Sequence, residues 1–199
     1  PGGVGTAEEI LYLLGILLHP DNAELPMPLI MTGPPSSEAY FTQIDEFIAA
    51  TLGDDARNRY DIVIDDPEQV GRKMRTGLEA VRNFRREHGD AYYFNWRLKI
   101  DVEFQQPFTA THESMRSLDI REGMPTHSLA ANLRRAFSGI VSGNVREDTI
   151  AAIEKDGPFE ICATGRYLEL LDRLLASFVD QGRMKIARET YEPCYRVVA

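Results

Sequence analysis

At 199 residues, 43% of them hydrophobic and 27% charged, the chain is long enough to bury the core of one or two globular domains. A formal net charge of -9 excludes a general nucleic-acid binder, whose surface must be basic to neutralise phosphates, so any anion site has to be local. The longest apolar stretch, Ile10 to Leu18, is far short of a membrane span and no segment resembles a signal peptide, so a cytoplasmic location without a membrane partner is expected. Cys162 and Cys194 form no CxxC pair and have no histidine at a zinc spacing, which fits idle thiols in a reducing compartment.

In chain order, Thr6 to His19 carries Ile10, Leu11, Leu13, Leu14, Leu17 and Leu18, the pattern of a helix buried over much of its circumference and stopped by Pro20. Pro28 to Thr32 is a short apolar run closed by Gly33-Pro34-Pro35, expected as a central parallel strand buried on both faces. Ser36 or Ser37 then caps a helix carrying Tyr40, Phe41, Ile44, Phe47 and Ile48, ending at Gly53, and Tyr60 to Ile64 is the next strand. Pro67 to His88 reads as a long helix with one apolar stripe of Val70, Met74, Leu78, Val81 and Phe84. Ala91 to Phe104 is expected as one or two aromatic-rich strands in which Tyr92, Tyr93, Phe94 and Trp96 pack a second domain, and Pro107 to Pro125 as an irregular connection. Ser128 to Val141 and Glu147 to Lys155 are helical, Phe159 to Cys162 is a strand, and Tyr167 to Val179 is an amphipathic helix. This order predicts an α/β fold: the C-terminal part of a Rossmann-like doubly wound parallel sheet over residues 1–70, then a smaller α+β domain over 71–199 for regulation and oligomerisation.

The chemistry concentrates at the start, Pro1-Gly2-Gly3-Val4-Gly5-Thr6-Ala7-Glu8-Glu9. Glycines allow close backbone approach to a ligand, and the amides and dipole of a helix start favour an anion such as phosphate. A glycine loop of this kind normally follows a buried strand and Pro1 is no initiator Met, so the chain is expected to be the downstream part of a larger protein. Two readings of Glu9 compete. Thr6 and Glu9 have the spacing of a capping box, in which each satisfies the other's backbone donor; otherwise Glu9 is free to act on a ligand. Glu8 is expected to face another direction, solvated or favoured by the dipole.

PGGVGTAEE resembles the PGGxGTxxE signature of the Lonely Guy family of nucleotide phosphoribohydrolases, matching at Pro1, Gly2, Gly3, Gly5, Thr6 and Glu9. The continuation through LYLLGILLHPDN, LIMTGPPSSEAYF, FNWRLKI, LRRAFSGIVSGNV and CYRVV looks like one branch, the bacterial pyrimidine/purine nucleotide 5'-monophosphate nucleosidases, over essentially the whole chain. The resemblance implies hydrolysis of the N-glycosidic bond of a nucleoside 5'-monophosphate to free base and ribose 5-phosphate. It also implies phosphate contact at Gly2, Gly3, Gly5 and Thr6, a catalytic Glu9, and a partner arginine that lies upstream of the signature and outside this chain. Two alternatives stay open, a non-catalytic nucleotide-sensing or assembly module and a cytokinin-type riboside monophosphate phosphoribohydrolase. An older label for such proteins, lysine decarboxylase, finds no support, because the first of only four lysines is Lys73, outside the glycine-loop helix. No cofactor is expected, and the scattered His19, His88, His112 and His127 predict no metal site.

A second anion site is expected between residues 71 and 90, where six basic side chains face three acidic ones in an otherwise acidic chain. Arg75, Glu79, Arg82 and Arg86 share one helix face. The resemblance implies regulation by a guanosine alarmone, guanosine tetraphosphate, at a subunit interface of a homotetramer. Arg82 and Arg86 are the residues chosen for that polyphosphate, with Arg75 and Lys73 behind them.

Overall fold

The computed structural model describes residues 2–90, 98–164, 166–184 and 192–198. The expected aromatic strand over 91–97, with Tyr92, Tyr93, Phe94 and Trp96, lies outside the described residues. Backbone proximity divides the chain into two compact units, Ile16–Ile100 and Gly2–Gly15 with Asp101–Ala199. Helix α1 (Val4–Leu17) therefore contributes most of its length to the second unit. The architecture is α/β, with parallel strands joined through helices in both units.

In the first unit, β1 (Ile30–Gly33) pairs in parallel with β2 (Asp61–Ile64), Ile30 opposite Asp61 and Gly33 opposite Ile64. The crossover between them is α2 (Glu38–Leu52) and the short α3 (Asp54–Arg57). Tyr40, Phe41, Ile44, Phe47, Ile48 and Leu52 recur at helical spacing and are buried, with Met31 and Val63 from the strands. Tyr40 and Phe41 are thus core residues, their rings edge to face at 5.3 Å. Ser37 holds the position before α2 but makes no side-chain cap bond; the chain enters through a 3-10 turn at Pro35–Ser37 instead. Gly53, at φ 79°, turns the chain out of α2 in a conformation that a side chain would strain. Arg57 donates to both Asp45 oxygens at 3.1 and 2.6 Å, and the Tyr60 hydroxyl donates to Asp45 Oδ1 at 2.7 Å. Burial and the Asp45 carboxylate push the Tyr60 hydroxyl well above the usual phenol range.

The strand expected to be buried on both faces is not: in β1 only Met31 is buried and Thr32 is exposed, because β2 is its single neighbour among the described residues. Helix α4 (Pro67–Glu87) is the long helix expected, started by Asp66, whose side chain accepts from Gln69 N at 2.8 Å, with Pro67 in the first turn. Its apolar stripe is partly covered: Val81 is buried, Val70, Met74 and Phe84 are half-buried, and Leu78 is 40% exposed.

In the second unit β3 (Asp119–Ile120), β4 (Phe159–Ala163) and β5 (Tyr195–Val198) form a wholly parallel sheet in that order, with Phe159 opposite Tyr195 and Asp119 opposite Cys162. Around it run α5 (Val102–Gln105), α6 (His112–Arg116), α7 (Thr126–Val145), α8 (Glu147–Asp156) and α9 (Arg166–Asp180). Phe159, Ile161 and Ala163 alternate inward along β4 and join Phe137, Ile140, Leu171, Leu174 and Phe178 in the core. Burial of each large side chain stabilises the unit by about 2 to 3 kcal/mol. Gly143 lets Cys194 approach α7, since a Cβ there would lie 2.8 Å from the thiol sulfur. Burial pushes that thiol up to about 11, which makes it a poor nucleophile.

Two expectations fail in this unit, and one further element was not expected. Residues 102–104, expected as the end of a strand, lie in the helical turn Val102–Gln105. The connection expected to be irregular contains α6, fixed by a reciprocal Thr111 and Ser114 capping box, and β3; both are too short to leave a periodic signal. The closing segment forms β5, which no alternation in so short a run announced.

Candidate active site

The first turn of α1 is shaped by glycine. A Cβ on Gly2 would run into Thr6 Oγ1, and one on Gly3 into the backbone carbonyl of Arg183. The first intrahelical bond runs from Ala7 N to Gly3 O at 3.3 Å, so the amides of Val4, Gly5 and Thr6 have no acceptor within the helix. The capping-box reading is overturned: the helix begins at Val4, which puts Thr6 inside it, with its side chain folded back over the bare Gly2. Glu9 is released from a capping role. It is exposed and makes no hydrogen bond or ion pair with the described residues.

Gly5, Glu8, Glu9, Tyr12 and Leu13 fall at i, i+3, i+4, i+7 and i+8, one stripe of α1, and all five line a cleft of about 620 Å3. Its other walls are Phe104, Gln105, Gln106 and Pro107, and Arg134 from α7. The Tyr12 hydroxyl donates to Phe104 O at 2.9 Å, and the two rings lie 5.5 Å apart. Gly15 allows the close approach at this junction, since a Cβ would come within 2.9 Å of the Phe104 ring.

Glu8 does not face away as expected. It is 20% exposed and lies in the same cleft as Glu9, with Oε1 3.6 Å from Nε of Arg134. Consecutive helical residues are about 100° apart, and a stripe that wide accommodates both. Arg134 is 15% exposed, and its guanidinium carbon stands 5.1 Å above the centre of the Tyr12 ring. Sequence reasoning missed this arginine. The available signal was its position in the inward stripe of α7, four residues after Ala130 and three before Phe137, both buried.

Arg75, Arg82 and Arg86 are exposed on α4 in the first unit, and none of the three makes an ion pair or hydrogen bond with the described residues. Lys73 is engaged with Asp61 at 2.7 Å, and Arg72 with Asp66 and Glu68 at 3.8 and 3.5 Å. Among the described residues no three His, Cys, Asp or Glu side chains gather as a metal site. No helix among them is long and apolar enough to cross a membrane.

Residues 78–198 match the family described as pyrimidine/purine nucleotide monophosphate nucleosidase, C-terminal, which is more than half of the chain. The chain belongs to this family. Residues 1–74 match a second family model, described as possible lysine decarboxylase. The pyrimidine/purine nucleotide 5'-monophosphate nucleosidases of Escherichia coli K12, O6:H1 and O157:H7 are each 50% identical to this chain over 197 residues, 99% of it. The chain spans 43% of the length of these curated relatives.

Proposed function

We propose that this nucleosidase-family chain carries part of a site that hydrolyses the N-glycosidic bond of nucleoside 5'-monophosphates, giving free base and ribose 5-phosphate. The observation that carries the reading is the single stripe on α1 that joins the glycine-rich helix start to Glu9 inside one cleft. The 5'-phosphate sits on the amides around Gly2, Gly3, Gly5 and Thr6, where the helix dipole favours an anion. Glu9 lies about 6 Å further along the axis than Gly5, at the rise of about 1.5 Å per residue, which carries it from phosphate toward the sugar of the same nucleotide. Breaking the glycosidic bond develops oxocarbenium character on the ribose; the Glu9 carboxylate stabilises that charge and orients the attacking water. Water adds its oxygen to the anomeric carbon and the base leaves carrying a proton. The test is selectivity for the phosphate: protein of the full length of its relatives releases base from nucleoside 5'-monophosphates and not from the corresponding nucleosides. Equal rates on both would remove the phosphate from the reading.

The activity is cytoplasmic, and the protein acts as a homo-oligomer, a tetramer, in which the α4 stripe packs against another subunit through its exposed Leu78. The exposure of Leu78 supports this reading. Arg82 and Arg86, with Arg75, take guanosine tetraphosphate as an allosteric effector. None of the three is held by an ion pair among the described residues, which supports the assignment, since several forked guanidiniums can then turn to one polyphosphate. Replacing both Arg82 and Arg86 with alanine weakens guanosine tetraphosphate binding about 100-fold by calorimetric titration, at roughly 1.4 kcal/mol for each guanidinium removed. An unchanged affinity would place the effector elsewhere.

A further inference from the structure

Two adjacent carboxylates in one cleft pose an electrostatic problem. Glu8 and Glu9 both line it, Glu8 largely buried beside Arg134 and Glu9 exposed, and two negative charges at one cleft repel each other unless a cation compensates one of them. Only one cation lies among the described residues of the lining, Arg134, and it is placed asymmetrically, with its Nε 3.6 Å from Glu8 Oε1 and no ion pair to Glu9. We infer that Arg134 is a positioning residue of the cleft, which neutralises Glu8 and so leaves Glu9 as the carboxylate whose charge is directed at the ligand. The inference rests on the nucleosidase reading of Glu9.

Three features of Arg134 fit this role better than a salt bridge for stability. Its guanidinium is largely buried, which costs free energy unless the charge is used. The guanidinium carbon lies over the face of the Tyr12 ring, and the hydroxyl of that tyrosine is itself tied to Phe104 O. The distance to Glu8 is that of an ion pair and not of a hydrogen bond, and Nε is buried without an acceptor among the described residues. The arrangement delivers charge compensation without locking Glu8 and Arg134 into a closed pair. Tyr12 is the remaining titratable group of the lining; Gln105 and Gln106 carry no charge.

The test is a double-substitution cycle in protein of the relatives' full length, measuring base release from a nucleoside 5'-monophosphate. Arg134→Gln lowers kcat by about tenfold or more, with KM changed less than about threefold, because the effect falls on charge in the cleft and not on phosphate binding. Arg134→Lys, which keeps the positive charge, is less impaired than Arg134→Gln. In a Glu8→Gln background, Arg134→Gln changes kcat by less than about threefold, since no second carboxylate remains to be neutralised. Thermal melting of each variant reads folding separately. If Arg134→Gln costs as much in the Glu8→Gln background as alone, or if the lysine and glutamine variants are equally impaired, the inference is overturned. Glu9→Gln, run in parallel, separates the two claims: full activity there removes the nucleosidase reading and this inference with it. An inactive Glu9→Gln together with an uncoupled Arg134 removes the inference alone.

Discussion

In protein of the relatives' full length, Glu9→Gln is expected to lower the rate of base release from a nucleoside 5'-monophosphate by about 10^3-fold, within the range that a positioned carboxylate contributes, and to leave the protein folded. The reduction corresponds to about 4 kcal/mol of transition-state stabilisation. It falls on kcat because the amide-rich helix start proposed to hold the phosphate, Val4 to Thr6, is untouched by the substitution. The fold tolerates the change because Glu9 is exposed and engages no described residue. Only its favourable interaction with the helix dipole is given up, worth about 0.3 to 1 kcal/mol. Steady-state kinetics with a parallel thermal melt read the two effects separately. Loss of activity accompanied by a large fall in melting temperature would mean that Glu9 holds the fold and not the substrate.

The second large effect is on stability and falls in the first unit. Asn22 is fully buried, and its side chain closes three hydrogen bonds: Nδ2 donates to Ile16 O at 2.7 Å and to Lys99 O at 2.8 Å, and Oδ1 accepts from Lys99 N at 2.6 Å. Asn22→Ala strips partners from three backbone groups at once and leaves a void, for a cost of about 3 to 4 kcal/mol. At roughly 4 to 8 °C per kcal/mol for a unit of this size, the first unit melts about 12 to 32 °C lower in calorimetry. Asn22→Asp is no rescue, because a carboxylate cannot donate to the two carbonyls. A fall of only a few degrees would mean that water replaces the amide and that the clamp contributes little.

The elements that could be read from the chain are those long enough to show a period. α2, α4, α7 and α9 each repeat apolar residues over about four turns or more, and their bounds differ by only a few residues from those expected. What could not be read has a common cause in shortness or in tertiary packing. β3 is two residues long and α5 four, below the length at which alternation and helical spacing differ. The start of α1 was misplaced because the Thr6 and Glu9 spacing satisfies a capping rule that the backbone does not use; bare Gly2 instead gives Thr6 room to fold back within the helix.

The cleft was half legible. Gly5, Glu8, Glu9, Tyr12 and Leu13 form a visible stripe once the helix is granted, and the same stripe shows why Glu8 belongs to the cleft. Arg134 and the Phe104 to Pro107 wall could not be located from the chain, because they reach α1 from about ninety residues away or more and only folding brings them there. An arginine in an otherwise apolar stripe of α7 was a local conflict of the kind that marks functional sites.

The central proposal is that the helix start and Glu9 act together on the glycosidic bond of a nucleotide, and its most direct test is product identification. A nucleoside 5'-monophosphate is incubated with protein of the relatives' full length and the products are separated. Free base and ribose 5-phosphate are expected in equal amounts, with neither formed by Glu9→Gln above about one part in 10^3. Release of nucleoside and inorganic phosphate, or undiminished base release by Glu9→Gln, would contradict it.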